Sequence, residues 1–305
     1  MSNGKCFITN FLKGEEGTEV FLFWMFSLFS AFSLLGNGMI SGLISASQTS
    51  HPSVILPLLP VIIDMSYTSN SVPEMLVNLA DLNRTLSFVP CIMQTFLYLT
   101  FAHMECLTFV VMFYDRFGAI CRPLQYTVIM NWRACMVLAI TSWTCGLILA
   151  LVHAVLLLRL SFCESSEVDH LFYEILPVLK LAYADPWISE AVTFAACVFV
   201  LVGHFSSIVI SYMCVLCAIF RIQSGERQRK AFSTCSSHLC VVGLFHGIAI
   251  IMYIGPRYGN PKEQKKYLLL FHRFFNPMLN PLIYTLRNSE VKNALKRVLG
   301  IERAL

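Results

Sequence analysis

Charge is scarce in this chain. Only 13% of its 305 residues are Asp, Glu, Lys or Arg, about half the share of an ordinary soluble domain, which leaves too few ionic side chains to cover a water-facing surface. Catalytic signatures are also missing: no nucleophile elbow, no HExxH and no phosphate-binding glycine loop occurs, so an enzyme is not expected. The basic residues are split among short segments and form no continuous stripe, which argues against nucleic acid as a partner. Residues 1–19 have no basic start followed by an apolar core and small-residue cleavage site, so no removable signal peptide is expected there and the first apolar run is expected to serve as the targeting signal. No long linker, low-complexity tract or internal repeat divides the chain.

What fills the chain instead is apolar sequence, 56% hydrophobic by composition. Seven runs are each long enough to cross about 30 Å of hydrocarbon: 20–46, 53–77, 88–114, 134–158, 188–220, 231–256 and 267–286. A helix satisfies its own backbone hydrogen bonds in lipid and a lone strand cannot. The sequence therefore predicts an all-α membrane protein, a seven-helix bundle at 20–286 between an external segment at 1–19 and a cytoplasmic helix and tail at 287–305. Lys and Arg resist translocation. With the N terminus outside, the inner segments hold 12 basic residues against four acids and the outer ones nine against ten, which favours N outside and C inside.

Motifs cluster at the inner ends of these runs. The third ends in MFYDRFGAICRPLQY at 112–126, where Asp115 and Arg116 stand side by side; the fifth carries Ser211-Tyr212; the sixth opens with KAFSTCSSHL at 230–239; the seventh ends in PMLNPLIYTLRN at 277–288. Pro281 removes a backbone donor and bends its helix, and the Asn280 amide can serve the freed carbonyls, as a hinge or as a static kink. With Gly36-Asn37 in the first run, these blocks resemble the olfactory receptors of the rhodopsin-like G-protein-coupled class, with the family 2 members most similar. The resemblance runs over nearly the whole chain. It implies binding of a small volatile odorant within the bundle, activation of a heterotrimeric stimulatory G protein inside the cell, a rise in cyclic AMP and residence in the plasma membrane among membrane lipid. It assigns Asp115, Arg116, Tyr212, Asn280, Pro281 and Tyr284 to the activation switch, with Arg116 leaving Asp115 to meet Tyr212 and Tyr284.

Two acids, Asp64 and Glu105, fall mid-span, where an ionised side chain costs at least about 2.5 kcal/mol and marks function by default. Close carboxylates repel unless a cation or a shared proton intervenes. The residues admit either a sodium ion, with Asn37 and Asn280 nearby, or a protonated, water-bridged pair; no other cofactor is implied. By resemblance, the ligand pocket draws on Tyr98, Leu99, Ala102 and His103 of the third run, Ala196 and Val200 of the fifth, His246 of the sixth and Arg273 of the seventh. A mainly apolar cavity with a few polar anchors suits a volatile organic molecule.

Most of the 12 cysteines lie in or beside the runs, where they pack as small hydrophobes. Cys214 and Cys217 form a lone CxxC without a second pair, so zinc is not expected. Cys6, Cys91 and Cys163 lie outside. The resemblance implies a bond from Cys91 to the second outer loop, but two of the three loop positions read Tyr173 and Tyr183. Cys91 with Cys163 is the expected pairing; Cys91 with Cys6, or a reduced thiol, are the alternatives. The only glycosylation sequon is Asn83-Arg84-Thr85. Pro57 and Pro60 fall in the second run, where interior prolines bend or break a helix, and with the missing N-terminal sequon they predict difficult folding or trafficking. The competing functions are a receptor for a non-odorant metabolite, a receptor relic that traffics poorly, and a transporter or channel using the intramembrane acids.

Overall fold

The computed structural model describes residues 5–8, 18–46, 55–80, 85–122, 124–159, 165–168 and 187–220, with isolated residues between 224 and 251. Its elements in chain order are β1 (Lys5–Ile8), α1 (Thr18–Ala46), α2 (Ile55–Ala80), β2 (Thr85–Ser87), α3 (Phe88–Cys121), α4 (Tyr126–Ile129), α5 (Trp132–Leu158), β3 (Ser165–Val168) and α6 (Trp187–Phe220). The five long helices coincide with the first five apolar runs. Among the described residues, three stretches are long and apolar enough to cross a membrane: Val20–Ser45, Val89–Cys121 and Trp132–Leu158. Residues 232, 236, 243, 247–248 and 251 of the sixth run are helical; the rest of that run, the seventh run and the tail at 287–305 lie outside the described residues.

Polar side chains inside these helices are served locally. Ser27, Ser30, Thr68, Thr95 and Thr100 each donate a hydroxyl hydrogen to the carbonyl four residues back, at 2.7–2.9 Å. A hydroxyl satisfied in this way can stay in apolar surroundings at little cost. The apolar faces turn outward: Leu28, Leu35, Ile140, Ile210 and Phe220 are all exposed. Such faces would be a liability in water and are the expected surface against lipid.

The helices pack as neighbours, α1 on α2, α2 on α3 and α3 on α5, and α6 also packs on α3. Contacts along α2 and α3 run in opposite directions: Leu59 shares a buried cluster with Val111, and the Tyr67 ring lies 5.5 Å from that of Tyr98. Between α3 and α5, Gly146 packs directly against Met104. A Cβ on Gly146 would lie 2.8 Å from Met104 Cγ and 3.0 Å from its backbone N, so the glycine is what lets these two helices touch. α5 begins at Asn131, whose extended backbone and side-chain oxygen cap the helix by accepting from Ala134 N at 2.9 Å.

Three findings add to the sequence reading. Beside the helices, β1 is the centre of a small three-stranded sheet, ordered β2-β1-β3. It pairs antiparallel with β2, Lys5 opposite Ser87 and Phe7 opposite Thr85, and parallel with β3, Lys5 opposite Ser165 and Ile8 opposite Val168. The N-terminal segment therefore lies on the same face of the bundle as the α2–α3 connection and the segment after α5. Second, α3 runs seven residues past the expected end at 114, to Cys121, because the polar Asp115-Arg116 turn keeps helical geometry rather than ending it. Third, α2 continues as helix through Pro57 and Pro60. Pro57 sits in the first turn, where the missing N–H has no intrahelical partner to lose; Pro60 forfeits one bond near the helix start.

Candidate functional site

Deep in the bundle, three polar side chains come from three consecutive helices. Asn37 of α1 is fully buried, Asp64 of α2 is 2% exposed and Glu105 of α3 is 6% exposed. Asn37 Nδ2 donates to the Ser33 carbonyl at 3.0 Å and to its Oγ at 3.4 Å, which fixes the amide along its own helix. Leu59 and Val111 on one side and Tyr67 and Tyr98 on the other bracket Asp64 and Glu105 in opposite senses. Both acids thus lie on the facing stretches of α2 and α3 between these two contacts. Asn280, expected beside them, lies outside the described residues.

Toward the N-terminal half of α3, Tyr98 and Leu99 are buried at 3% and 7% exposure, and Ala102 and His103 are half-buried. These four expected pocket residues share α3. A residue that belongs to no motif joins them. His153 of α5 is 3% exposed, and its ring lies 5.5 Å from that of His103 with a 31° angle between planes. His153 sits in an apolar run with no motif around it, so only the α3–α5 packing could bring it out. Ala196 and Val200 lie on α6, with side chains outside the described residues, as His246 and Arg273 are altogether. Cys91, at the head of α3, is completely buried. Its proposed partner Cys163 and the sequon Asn83 lie outside the described residues, while β1 sets Cys6 opposite Leu86 and Ser166.

Toward the C-terminal end of α3, Asp115 is 6% exposed and accepts a hydrogen bond from the Tyr126 hydroxyl at 2.6 Å. Tyr126 begins the short helix α4, and its ring lies against Gly118, at whose position a Cβ would be 3.5 Å from Tyr126 Cδ2. The connection after α3 thus folds back onto the helix it has just left. Arg116 is helical in its backbone, with its side chain outside the described residues. Tyr212 of α6 is 4% exposed and packs in a buried cluster with Cys106, Phe109, Met112 and Phe113 of α3, its ring 5.5 Å from that of Phe113. Tyr126 was legible only as the end of a motif block; its partner was not. Asn280, Pro281 and Tyr284 lie outside the described residues. Among the described residues no group of three or more His, Cys, Asp or Glu side chains is arranged to hold a metal.

Comparison with known proteins bears on what this arrangement serves. A family profile described as "Olfactory receptor" matches residues 26–302. The chain is 58% identical over 310 residues to Olfactory receptor 2A7 of Mus musculus, covering all of both chains. It is 60% identical over 288 residues to Olfactory receptor 2A7 of Homo sapiens, covering 94% of this chain and 93% of that one. The same identity and coverage hold for Olfactory receptor 2A4 of Homo sapiens.

Proposed function

Because this chain belongs to the olfactory receptor family, a family of multi-pass membrane receptors and not of enzymes, we propose that it binds small volatile organic molecules inside a seven-helix, rhodopsin-like bundle and activates a stimulatory G protein, raising cyclic AMP. The bundle stands in the plasma membrane with its N terminus outside and C terminus inside, as the basic bias of the inner segments favours. The odorant enters from the outer end and lies against Tyr98, Leu99, Ala102 and His103. Its burial in apolar surroundings supplies most of the binding energy, at about 25 cal/mol per Å².

The observation that carries this reading is the inner end of α3. Asp115, buried and bonded to Tyr126, stands beside Arg116, while Tyr212 is packed on the same helix from α6. In the resting state Asp115 holds the α3 end closed. On activation Arg116 leaves Asp115 for Tyr212 and Tyr284, the Asn280-Pro281 hinge gives, and the cleft that opens accepts a helix of the G protein. A sodium ion held by Asp64 and Glu105, with Asn37 and Asn280 near, stabilises the resting state; the burial of both acids on the facing stretches of α2 and α3 supports this, since neighbouring carboxylates need a counter-charge.

The test is a broad panel of volatile compounds applied to cells in which surface expression of the chain is measured independently. Odorant-evoked cyclic AMP supports the reading. A ligand-independent current under voltage clamp with no cyclic AMP response would assign the buried acids to an ion path instead.

A further inference from the structure

We propose that Asn70 of α2 and Gln94 of α3 form a subsite for the hydroxyl of a small alcohol, a group that accepts from one amide and donates to the other. The inference rests on the ligand pocket proposed above and extends it one turn toward the start of α3.

Both amides are short of partners among the described residues. Gln94 is 9% exposed, and its buried Oε1 accepts no hydrogen bond; Asn70 is half-buried, and its buried Nδ2 donates none. A polar atom shut away from water without a partner carries its full desolvation cost, so a ligand group that serves it binds with advantage. Neighbouring hydroxyls do not supply the missing donor. Thr68 gives its hydrogen to the Asp64 carbonyl at 2.8 Å and Thr95 gives its own to the Cys91 carbonyl at 2.9 Å.

Helix geometry sets the two amides toward one place. The Tyr67 and Tyr98 rings, 5.5 Å apart, mark where α2 meets α3. Asn70 stands three residues past Tyr67 and Gln94 four before Tyr98, spacings that keep each amide on the helix face of its tyrosine. Because contacts along the two helices run in opposite directions, both amides lie on facing stretches on the same side of the ring pair. Val72 on α2 and Cys91, Ile92 and Thr95 on α3 are all buried, which keeps the place dry. Yet the free donor and the free acceptor do not bond to each other. They are left for a third group.

A hydroxyl serves both at once: its oxygen accepts from Asn70 Nδ2 and its hydrogen goes to Gln94 Oε1. An ether oxygen only accepts. It can take the Asn70 hydrogen but leaves Gln94 Oε1 bare, so the subsite separates molecules of nearly equal size and hydrophobicity. The alkyl tail of the alcohol then lies along α3 past Tyr98 and Leu99 toward Ala102, about 12 Å from Gln94 at the usual helical rise.

Straight-chain primary alcohols and methyl ethers of matched length, assayed by cyclic AMP in cells with measured surface expression, test this. The alcohols are expected to act at concentrations about tenfold lower than the ethers, the effect of one more hydrogen bond to a buried acceptor. Gln94→Met keeps the length of the side chain but removes the amide; it is expected to bring alcohol potency down to that of the ethers while shifting the ethers by no more than about twofold. Asn70→Leu removes the donor that both series use and is expected to weaken both, by about tenfold. Equal potency of the two series in the parent chain would overturn the subsite, with the amides left to water. So would equal shifts of both series in Gln94→Met. Activation by ethers and ketones alone would overturn it while leaving the receptor reading intact, and a surface-expressed chain that answers no volatile would overturn both.

Discussion

The Tyr126 hydroxyl donates to Asp115 Oδ1 at 2.6 Å across eleven residues of sequence. The length is typical where a carboxylate accepts from a hydroxyl, and the bond ties the connection after α3 to the buried acid of the proposed switch. Hydrogen bonds to charged groups contribute about 1.5–3 kcal/mol. If the bond belongs to the proposed resting arrangement, Tyr126→Phe raises ligand-independent cyclic AMP, by up to roughly tenfold for about 1.4 kcal/mol of lost bias. Unchanged basal signalling at equal surface expression would show that the bond persists in both states.

Tyr212 makes two separable contributions. Its ring is part of the buried α3–α6 cluster, while its hydroxyl is the group that Arg116 is proposed to meet. Tyr212→Phe is expected to reach the surface normally and lose much of its maximal response. Tyr212→Ala is expected to lose surface expression as well, since emptying a buried aromatic site costs about 3–5 kcal/mol. Immunostaining of intact cells beside the cyclic AMP assay distinguishes the two effects.

The α3–α5 contact sets a steric limit at Gly146. Its missing Cβ would fall 2.8 Å from Met104 Cγ and 3.0 Å from Met104 N, and the backbone nitrogen cannot move aside without shifting the helix. Gly146→Ala is expected to destabilise the bundle by about 1–3 kcal/mol, the usual range for overpacking, with lower surface expression and a lower melting temperature of the solubilised protein. Met104→Ala on that background removes only the Cγ clash and should restore part of the loss.

Asp64 and Glu105 are both buried on adjacent helices. If sodium bridges them in the resting state, raising sodium should lower basal cyclic AMP in membranes of the parent chain and have no effect in Asp64→Asn or Glu105→Gln. A parent chain insensitive to sodium, with both variants silent, would leave the acids as a protonated packing pair.

How far the sequence reveals this molecule depends on the range of the interaction. α1, α5 and α6 lie within two residues of their expected limits because apolar run length is a local signal, and the burial of Asp64, Glu105 and Asn37 follows from polar groups placed mid-run. Only tertiary structure brings in what remains. The β1–β3 pairing joins Lys5 to Ser165, and no short pattern announces a partner so far along the chain. His153 looks like any residue of an apolar helix until His103 is set against it, and Gly146 looks like a helix weakener until Met104 occupies the space. The continuation of α3 through Asp115 to Cys121 was hidden because polarity was read as an end, whereas a buried acid bonded to Tyr126 can remain inside a helix.

The central claim is that odorant binding at the outer end is read out through the inner end of α3. Arg116→Ala tests it most directly, in cells matched for surface expression and exposed to a volatile that activates the parent chain. The account predicts that evoked cyclic AMP falls to background while the variant still reaches the surface. An undiminished response would contradict it.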